Sequence, residues 1–433
     1  MQQINLKEYE DSCQIPLSVQ KRDLLREVLP SVSIEPIRHT SDEYRLKPSS
    51  KVGALEIGDM SVLIEPKIGI PKLLSLVCYT MGVYKPQEQE LFDFQKAQTL
   101  PDLLALALIA STRRAVGRGL LRRYIAEEDA LHTVRGRIRF DEQIRRRYGI
   151  PFPVDLRFDE FTEDILANRL VKAAAARLGR MTLHTGKARQ GLGWIAATLE
   201  NVSLLEFRRK RVPRVRFDRL NEHYRLVVGL ARLILIHSEF ESCRGDVRAS
   251  GILIDMNKLF QEFFMLALRE TLGVSSRSLR SEYTVHFDKK ERVELRPDLT
   301  WWDDGDTCTF VGDAKYKNLD DGGVRNDDLY QLLAYATALN LPGGLLIYAQ
   351  GGPETRNYKV RHAEKRLEVA ALDLSGSFEE VLKDVGRIAD SVRNLRKEAH
   401  AANSAKSVSS SNTVQASPPN PQIFKTKGQH ESF

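Results

Sequence analysis

With 433 residues the chain is long enough for about two or three domains with real cores, and its formal charge of +7 comes from basic clusters rather than from an even excess. Four cysteines, Cys13, Cys78, Cys243 and Cys308, stand far apart without CxxC spacing, which excludes a disulfide scaffold and a zinc site of that type. No charged start followed by an apolar core marks a signal peptide and no run reaches membrane-spanning length, so a soluble, cytoplasmic protein is expected.

From the N-terminus, Ile4 to Ile68 reads as β-rich, with the apolar runs Ala54-Leu55-Glu56-Ile57 and Val62-Leu63-Ile64 broken by Gly58-Asp59 in the manner of a hairpin. Lys72 to Met81, apolar at Leu73, Leu74, Leu76 and Val77, is expected to be a helix started by Pro71 in its first turn. A longer helix is expected over Leu100 to Tyr124, with Leu103, Leu104, Leu106, Ala107, Ile109 and Ala110 on its buried side. Val134 to Phe140 alternates like a strand that presents arginines on one side. Thr162-Glu163-Asp164 gives the helix through Ile165, Leu166, Leu170, Val171 and Ala174 an acidic start, and these acids are assigned to capping and to pairing with nearby arginines. Another helix covers much of Leu220 to His237.

The basic residues fall into two groups. Arg113, Arg114, Arg118, Arg122, Arg123, Arg135, Arg137, Arg139 and Arg145 to Arg147 crowd one region; Arg208-Arg209-Lys210-Arg211 with Arg214 and Arg216 form another. Such clusters fit a polyanion partner, and pairing with the many nearby acids on solvated faces accounts for them equally well.

The helix expected from Met256 to Leu272, closed by Gly273, carries the stripe Leu259, Phe260, Phe263, Phe264, Ala267 and Leu268, with Glu262 on its border. Next, Arg296-Pro297-Asp298-Leu299-Thr300-Trp301-Trp302 and the run Thr307 to Lys317 flank Asp304-Gly305, the signal for a hairpin with a two-residue loop. With that loop Asp303 faces Asp306 and Asp298 stands opposite Val311. Asp298 then shares a face with Asp313 and Lys315, and Asp313 is a diagonal step away at roughly 7–8 Å between Cα atoms. Two carboxylates and a lysine on one face suit metal-assisted hydrolysis of a phosphodiester, because Mg²⁺ prefers carboxylate oxygens and keeps several waters. Lys315 would orient or deprotonate the attacking water, or neutralise charge on the phosphate. The alternative is a solvated hairpin face, against which Phe310, Val311 and Gly312 argue, since they suit a partly buried strand. A helix from Asn326 to Leu339 sets Gln331 and Tyr335 four apart, placed to hydrogen-bond a phosphate or to brace Lys315, and Gly344 to Tyr348 is a short strand.

This order of elements, with Glu262, Pro297-Asp298, Asp313-Ala314-Lys315 and Gln331-x-x-x-Tyr335, resembles the PD-(D/E)XK nuclease fold. Ile64-Glu65-Pro66-Lys67-Ile68, Arg135-Gly136-Arg137-Ile138, Arg157 to Asp164 with Asn168-Arg169, and Met256-Asn257-Lys258-Leu259-Phe260 look like McrC, the nuclease subunit of McrBC restriction systems, and the likeness runs to about Arg396. The resemblance implies a mixed α+β protein. On that resemblance a β-rich N-terminal domain with helices, residues 1–155, is expected to bind an AAA+ ring. Residues 156–396 form a helical linker region and an α/β nuclease domain with a central mixed sheet, its core at about 250–375. Residues 397–433, rich in Ser, Asn, Gln and Pro, are expected to be a disordered tail.

The same resemblance implies Mg²⁺ held by Asp298, Asp313 and Glu262, with Lys315, Gln331 and Tyr335 completing the catalytic set. It implies double-stranded DNA as substrate, no membrane, and as partner a McrB-like AAA+ GTPase hexamer that binds the GTP, recognises methylcytosine and is stimulated by this chain. No G-x-x-x-x-G-K-[ST] loop occurs, so this chain is not expected to hydrolyse nucleotide itself. Two alternatives are a related GTP-dependent system directed to an unmodified sequence and a catalytically silent GTPase-activating adaptor, the latter opposed by the intact Asp298, Asp313 and Lys315.

Overall fold

In a computed structural model of the chain, residues 2–12, 14–38, 40, 42–82, 99–148, 150–242, 248–303, 307–319, 323–352 and 354–412 are described. They form two compact units, Met1–Leu266 with Leu374–Phe378, and Ala267–Asp373 with Glu379–Phe433. Each mixes helices and sheets. Among the described residues no helix is long and apolar enough to cross a membrane.

The first unit begins with β1 (Gln2–Lys7), β2 (Ile15–Pro16), α1 (Val19–Val28), β3 (Val32–Pro36), β4 (Glu43–Pro48), β5 (Lys51–Ile57) and β6 (Met60–Glu65). Helix α1 interrupts a stretch expected to be strands and turns. Its start is set by Ser18, whose Oγ accepts a hydrogen bond from the Lys21 amide, and Leu25 and Val28 supply its buried side. The helix α2 (Ile70–Thr80) opens with a proline in its first turn, as expected.

After α2, α3 (Leu100–Val116) ends eight residues before Tyr124, because the chain turns at Gly117 and Gly119, the latter at φ +95°. The continuation is instead β7 (Arg123–Leu131), followed by β8 (Arg137–Ile138), α4 (Phe140–Arg147) and β9 (Val154–Thr162), which assemble in the order β7-β9-β8. The strand expected over Val134 to Phe140 shrinks to two residues. Gly136, at φ +73°, brings the backbone so close to Arg157 that a Cβ would sit 2.4 Å from its carbonyl oxygen, and Phe140 already opens α4. The segment Arg157 to Thr162 is likewise strand, and α5 (Leu166–Gly179) starts only after Ile165. Asp164 pairs with Arg169 at 2.7 Å and accepts from Ser203 Oγ, so the assigned arginine pairing is present, and its carboxyl is held well below the ordinary range, chiefly by Arg169.

Helices α6 (Gly186–Thr198) and α7 (Arg225–His237) follow, the latter opening after a 3₁₀ turn at Glu222–Tyr224 rather than at Leu220. Asp102 in α3 ties α6 to it, accepting from the Thr185 amide at 3.0 Å and the Thr185 hydroxyl at 2.7 Å. The strands β10 (Ser238–Ser242) and β11 (Arg248–Asp255) then return to the N-terminal strands: the sheet order is β1-β6-β5-β11-β10, with β11 antiparallel to β5. Residues 250–255, expected at the front of a nuclease core, therefore lie in the sheet of the first unit. The division between units falls within α8 (Met256–Leu272), which has the expected span and ends at Gly273, φ +67°. Asp255 caps α8, accepting from the Asn257 amide at 3.0 Å.

The first arginine cluster is largely consumed inside this unit. Arg122 pairs with Glu163, Arg123 with Asp218, Arg135 with Glu160, Arg139 with Glu128, Arg145 and Arg146 with Glu142, and Arg147 with Asp155, all within 3.2 Å. Most of these are exposed pairs that add little stability, but they favour pairing with local acids over a bare polycationic face.

The second unit contains β12 (Leu279–Arg280), β13 (Val285–His286), β14 (Glu294–Leu295), β15 (Leu299–Asp303), β16 (Thr307–Asn318), α9 (Asn326–Ala338), β17 (Gly343–Gln350), β18 (Arg356–Lys359), β19 (Arg366–Ala371) and α10 (Phe378–Asn412). Six of the strands make a mixed sheet ordered β12-β15-β16-β17-β19-β18, in which β16, β17 and β19 are parallel and β15 is antiparallel to β16. Helix α9 is the crossover that a parallel β16-β17 pair requires. Central β16 is buried from Cys308 to Ala314. Residues 397–412, expected to be disordered, are the end of α10, whose buried stripe Val381, Val385, Ile388, Val392, Leu395 and Ala399 has helical spacing. Residues 413–433 of that expected tail lie outside the described residues.

Gly53 of β5 lies at φ +139°, and a Cβ there would fall 1.9 Å from the Ile252 carbonyl oxygen of β11. Gly53→Ala should therefore push β11 off β5 and lower unfolding free energy by roughly 3 kcal/mol or more, measured by denaturant titration. A loss below about 1 kcal/mol would show that this approach does not constrain the sheet.

Candidate active site

The site is built on β15 and β16. Leu299 pairs with Gly312, Thr300 with Val311 and Trp301 with Phe310; a bulge between Trp301 and Trp302 then shifts the ladder to Trp302–Cys308 and Asp303–Thr307. The expected partners Asp303–Asp306 and Asp298–Val311 are thus replaced, because the connection is one residue longer and the bulge adds one more. The turn at Asp304-Gly305 lies outside the described residues. Two one-residue slips conserve parity, so Asp298 moves from diagonal to nearly opposite Asp313 while staying on its face. Asp298 Oδ2 accepts a hydrogen bond from the Ala314 amide at 2.9 Å, which fixes the carboxylate across the hairpin.

Asp313 lies in the middle of the sheet, with β17 on its other side and its side chain 1% exposed. Lys315 Nζ is 2.6 Å from Asp313 Oδ2, an ion pair that supplies no well-angled hydrogen bond to this buried oxygen. Burial, and then the charge of Asp313, push the Asp298 carboxyl up to about 7 against the opposing Ala314 N–H. Burial alone would pull Lys315 down; Asp313, Asp298 and Asp328 outweigh it and hold the ammonium above its ordinary range. At neutral pH the lysine is a cation.

The structure brings five of the six expected residues into the second unit. Gln331 Nε2 donates to Tyr335 Oη at 2.7 Å, and Tyr335 Oη donates to the Arg296 carbonyl at 3.3 Å. They brace the backbone two residues before Asp298, rather than Lys315. Burial, then Asp313 and Asp298, raise the Tyr335 hydroxyl, so it remains a neutral donor. Glu262 is on the part of α8 that belongs to the first unit. No sequence motif singles out Lys317, Asp328 and Tyr348, which form a hydrogen-bonded group on β16, β17 and α9. In the sequence Asp328 looks like one of several acids at a helix start, and Tyr348 like the end of an apolar strand. Lys317, two beyond Lys315, was the available signal.

Among the described residues no group of three or more His, Cys, Asp and Glu is arranged to hold a metal ion. The Asp298/Asp313 pair nevertheless fits a hard cation. Burial, and then the charge of Asp313, drive the Asp298 carboxyl towards neutrality, and Mg²⁺ is commonly held by one or two carboxylates with substrate phosphate completing its shell.

The sequence matches, over residues 46–349, the family described as McrBC 5-methylcytosine restriction system component. The chain belongs to the McrBC family. The membership implied by the sequence motifs is borne out, and the match spans all six expected site residues. A McrBC relative, the type IV methyl-directed restriction enzyme EcoKMcrBC of Escherichia coli (strain K12), is 23% identical over 304 residues, 66% of this chain and 86% of the relative. A chain of the refined half-complex from the tetradecameric assembly of Thermococcus gammatolerans McrB AAA+ hexamers with bound McrC has a TM-score of 0.60 at 19% identity, covering 90% of this chain and 100% of that one. The fold is therefore shared with a McrBC assembly. The cryo-EM structure of the T. gammatolerans McrBC complex also matches, at TM-score 0.44 and 21% identity over 62% of this chain and 88% of that one.

The raised Asp298 carboxyl has a stability signature. Its stabilising contribution is complete below the unfolded value near 3.9 and is lost as pH rises through about 7. In chelating buffer, Asp298→Asn should therefore raise stability at pH 8 by of order 1–3 kcal/mol, with the gain gone near pH 4. Added Mg²⁺ should then stabilise the unaltered chain more than the variant. Thermal unfolding curves that keep the same offset at both pH values would contradict the crowding of the two acids.

Proposed function

We propose that the chain is the DNA-cleaving subunit of a McrBC-like restriction complex. In this reading it is a Mg²⁺-dependent endodeoxyribonuclease of PD-(D/E)XK type, cutting methylcytosine-containing double-stranded DNA when assembled with a GTP-hydrolysing McrB-like AAA+ hexamer whose GTPase it stimulates. The observation that carries it is the meeting of Asp298, Asp313 and Lys315 on one hairpin of a mixed sheet, in a chain of the McrBC family.

Asp298 and Asp313 are the residues that would hold Mg²⁺, with Glu262 the third acid implied by the nuclease resemblance. Bound there, the cation supplies charge neutralisation at the scissile phosphate and makes water a better nucleophile at neutral pH. Lys315 enters as an ammonium, so it acts as a donor that orients the attacking water or stabilises charge on the phosphate, and Asp313 aims it. The Ala314 amide fixes Asp298, while Tyr335 and Gln331 hold the Arg296 backbone and so the approach of Pro297-Asp298 to the site. Rigid placement of this kind is what in-line displacement needs.

For the partner, the β7–β9 element of the first unit offers the surface. Eight of the seventeen large hydrophobic side chains exposed among the described residues fall between Tyr124 and Phe161, including Phe140, Ile144 and Tyr148. Tyr124 and Phe161 meet across the strands with their ring centroids 4.9 Å apart and their planes tilted by 38°. Concentrated apolar exposure of this sort marks an interaction site.

Asp298→Ala, Asp313→Ala and Lys315→Ala should each lower Mg²⁺-dependent cleavage by at least about a hundredfold while leaving stimulation of the partner's GTPase within about twofold. Loss of both activities in a folded variant would sink the separation of roles. Ile144→Glu combined with Tyr148→Glu should instead abolish the rise in GTP turnover; stimulation at the unaltered level would remove β7–β9 from the interface.

A further inference from the structure

Lys317 flanks the buried Tyr316 on the side away from Lys315, where the pairing of β16 with β17 slips between Lys315 and Asn318. A bulge at such a place re-aims a side chain. Lys317 Nζ lies 2.9 Å from both oxygens of Asp328, in the first turn of α9. Asp328 Oδ2 also accepts from the hydroxyl of fully buried Tyr348 at 2.7 Å. An ordinary surface Lys–Asp pair drifts in water. Here the acid is fixed: its side chain is 7% exposed, whereas that of Lys317 is 34% exposed. The ammonium is thereby held at a set position with a solvent-facing part. It has three N–H donors; the two Asp328 oxygens are its acceptors among the described residues, which leaves one donor for a ligand. Asp328 is also among the charges that sustain the Lys315 ammonium, so the two lysines belong to one electrostatic cluster.

We propose that Lys317 is a DNA-phosphate contact, its remaining N–H donating to a backbone phosphate oxygen adjacent to the phosphate that Lys315 serves, with Asp328 and Tyr348 as positioning residues. The inference rests on the nuclease reading above. A lysine used in this way grips the backbone whatever the base sequence and raises the number of counterions released on binding.

The test is equilibrium binding of the full chain to a short double-stranded DNA from low to high salt. Lys317→Met should reduce the slope of log K against log salt concentration by about one, uniformly across sequences, while Lys317→Arg keeps it. Because Lys317→Met leaves a buried carboxylate without its cation, the double variant Lys317→Met with Asp328→Asn is measured beside it, Tyr348 still donating to the amide oxygen. It should show the same reduced slope, and Asp328→Asn alone the original one. In cleavage with the partner, the Lys317 variants should raise the DNA concentration needed for half-maximal rate and leave the maximal rate within a fewfold. An unchanged slope in a folded double variant overturns the inference, as does an unaltered chain whose DNA binding does not depend on salt. Asp313→Asn separates the two readings. If it still cuts, the nuclease assignment fails; if it is inactive and the Lys317 slope is unchanged, only the role of Lys317 fails.

Discussion

Two carboxylates held within one hairpin, one of them in the middle of a sheet, set the terms for the second unit. Strand β16 lies between an antiparallel and a parallel neighbour, is buried from Cys308 to Ala314, and is apolar or small at nearly every one of those positions except Asp313. A carboxylate there is costly unless something answers its charge. Lys315 answers part of it, and Asp298, on the same face, adds to the load instead of relieving it. Replacing such groups by well-packed apolar residues commonly stabilises a fold, so stability alone does not account for this arrangement. The supporting contacts have the same logic: the Ala314 amide, the Tyr335–Gln331 brace and the bulge at Trp301/Trp302 all restrict where Asp298 can go.

How much of this was legible depended on whether the signal was local. Helix α8 was readable because its apolar stripe is continuous and Gly273 ends it; the same holds for α2 and α9. The hairpin existed in the sequence, but its register did not, because neither a bulge nor one more loop residue leaves a mark in propensity. The face shared by Asp298, Asp313 and Lys315 nonetheless emerged, because two slips preserve parity. Strand β7, Arg-Tyr-Ile-Ala-Glu-Glu-Asp-Ala-Leu, showed no alternation to read, since most of it is exposed. The placement of β11 beside β5 joins residues some two hundred positions apart, and no local pattern encodes such a pairing. Composition misled at 397–412, where polar residues continue a helix already anchored by Val392, Leu395 and Ala399.

The arginines show the same limit from the electrostatic side. Arg122, Arg123, Arg135 and Arg139 are close in sequence, yet their acids come from positions as distant as Asp218. Only the fold says which cation already has a partner. In the first unit it does so while leaving the aromatic side chains around them uncovered, so exposed rings, more than net charge, distinguish the β7–β9 element.

Lys315 and Lys317 are chemically identical and separated by one residue, but their surroundings divide the work between them. Lys315 meets an acid that is itself crowded by a second acid, so its charge is tied to whatever occupies the carboxylate pair. Lys317 meets an acid that also accepts from a buried tyrosine, so its position is set by Asp328 and Tyr348 rather than by the carboxylate pair, although Asp328 adds to the field at Lys315 as well. On the proposed reading, a cation at Asp298 and Asp313 would weaken the hold of Asp313 on Lys315 and leave the contact of Lys317 with Asp328 intact.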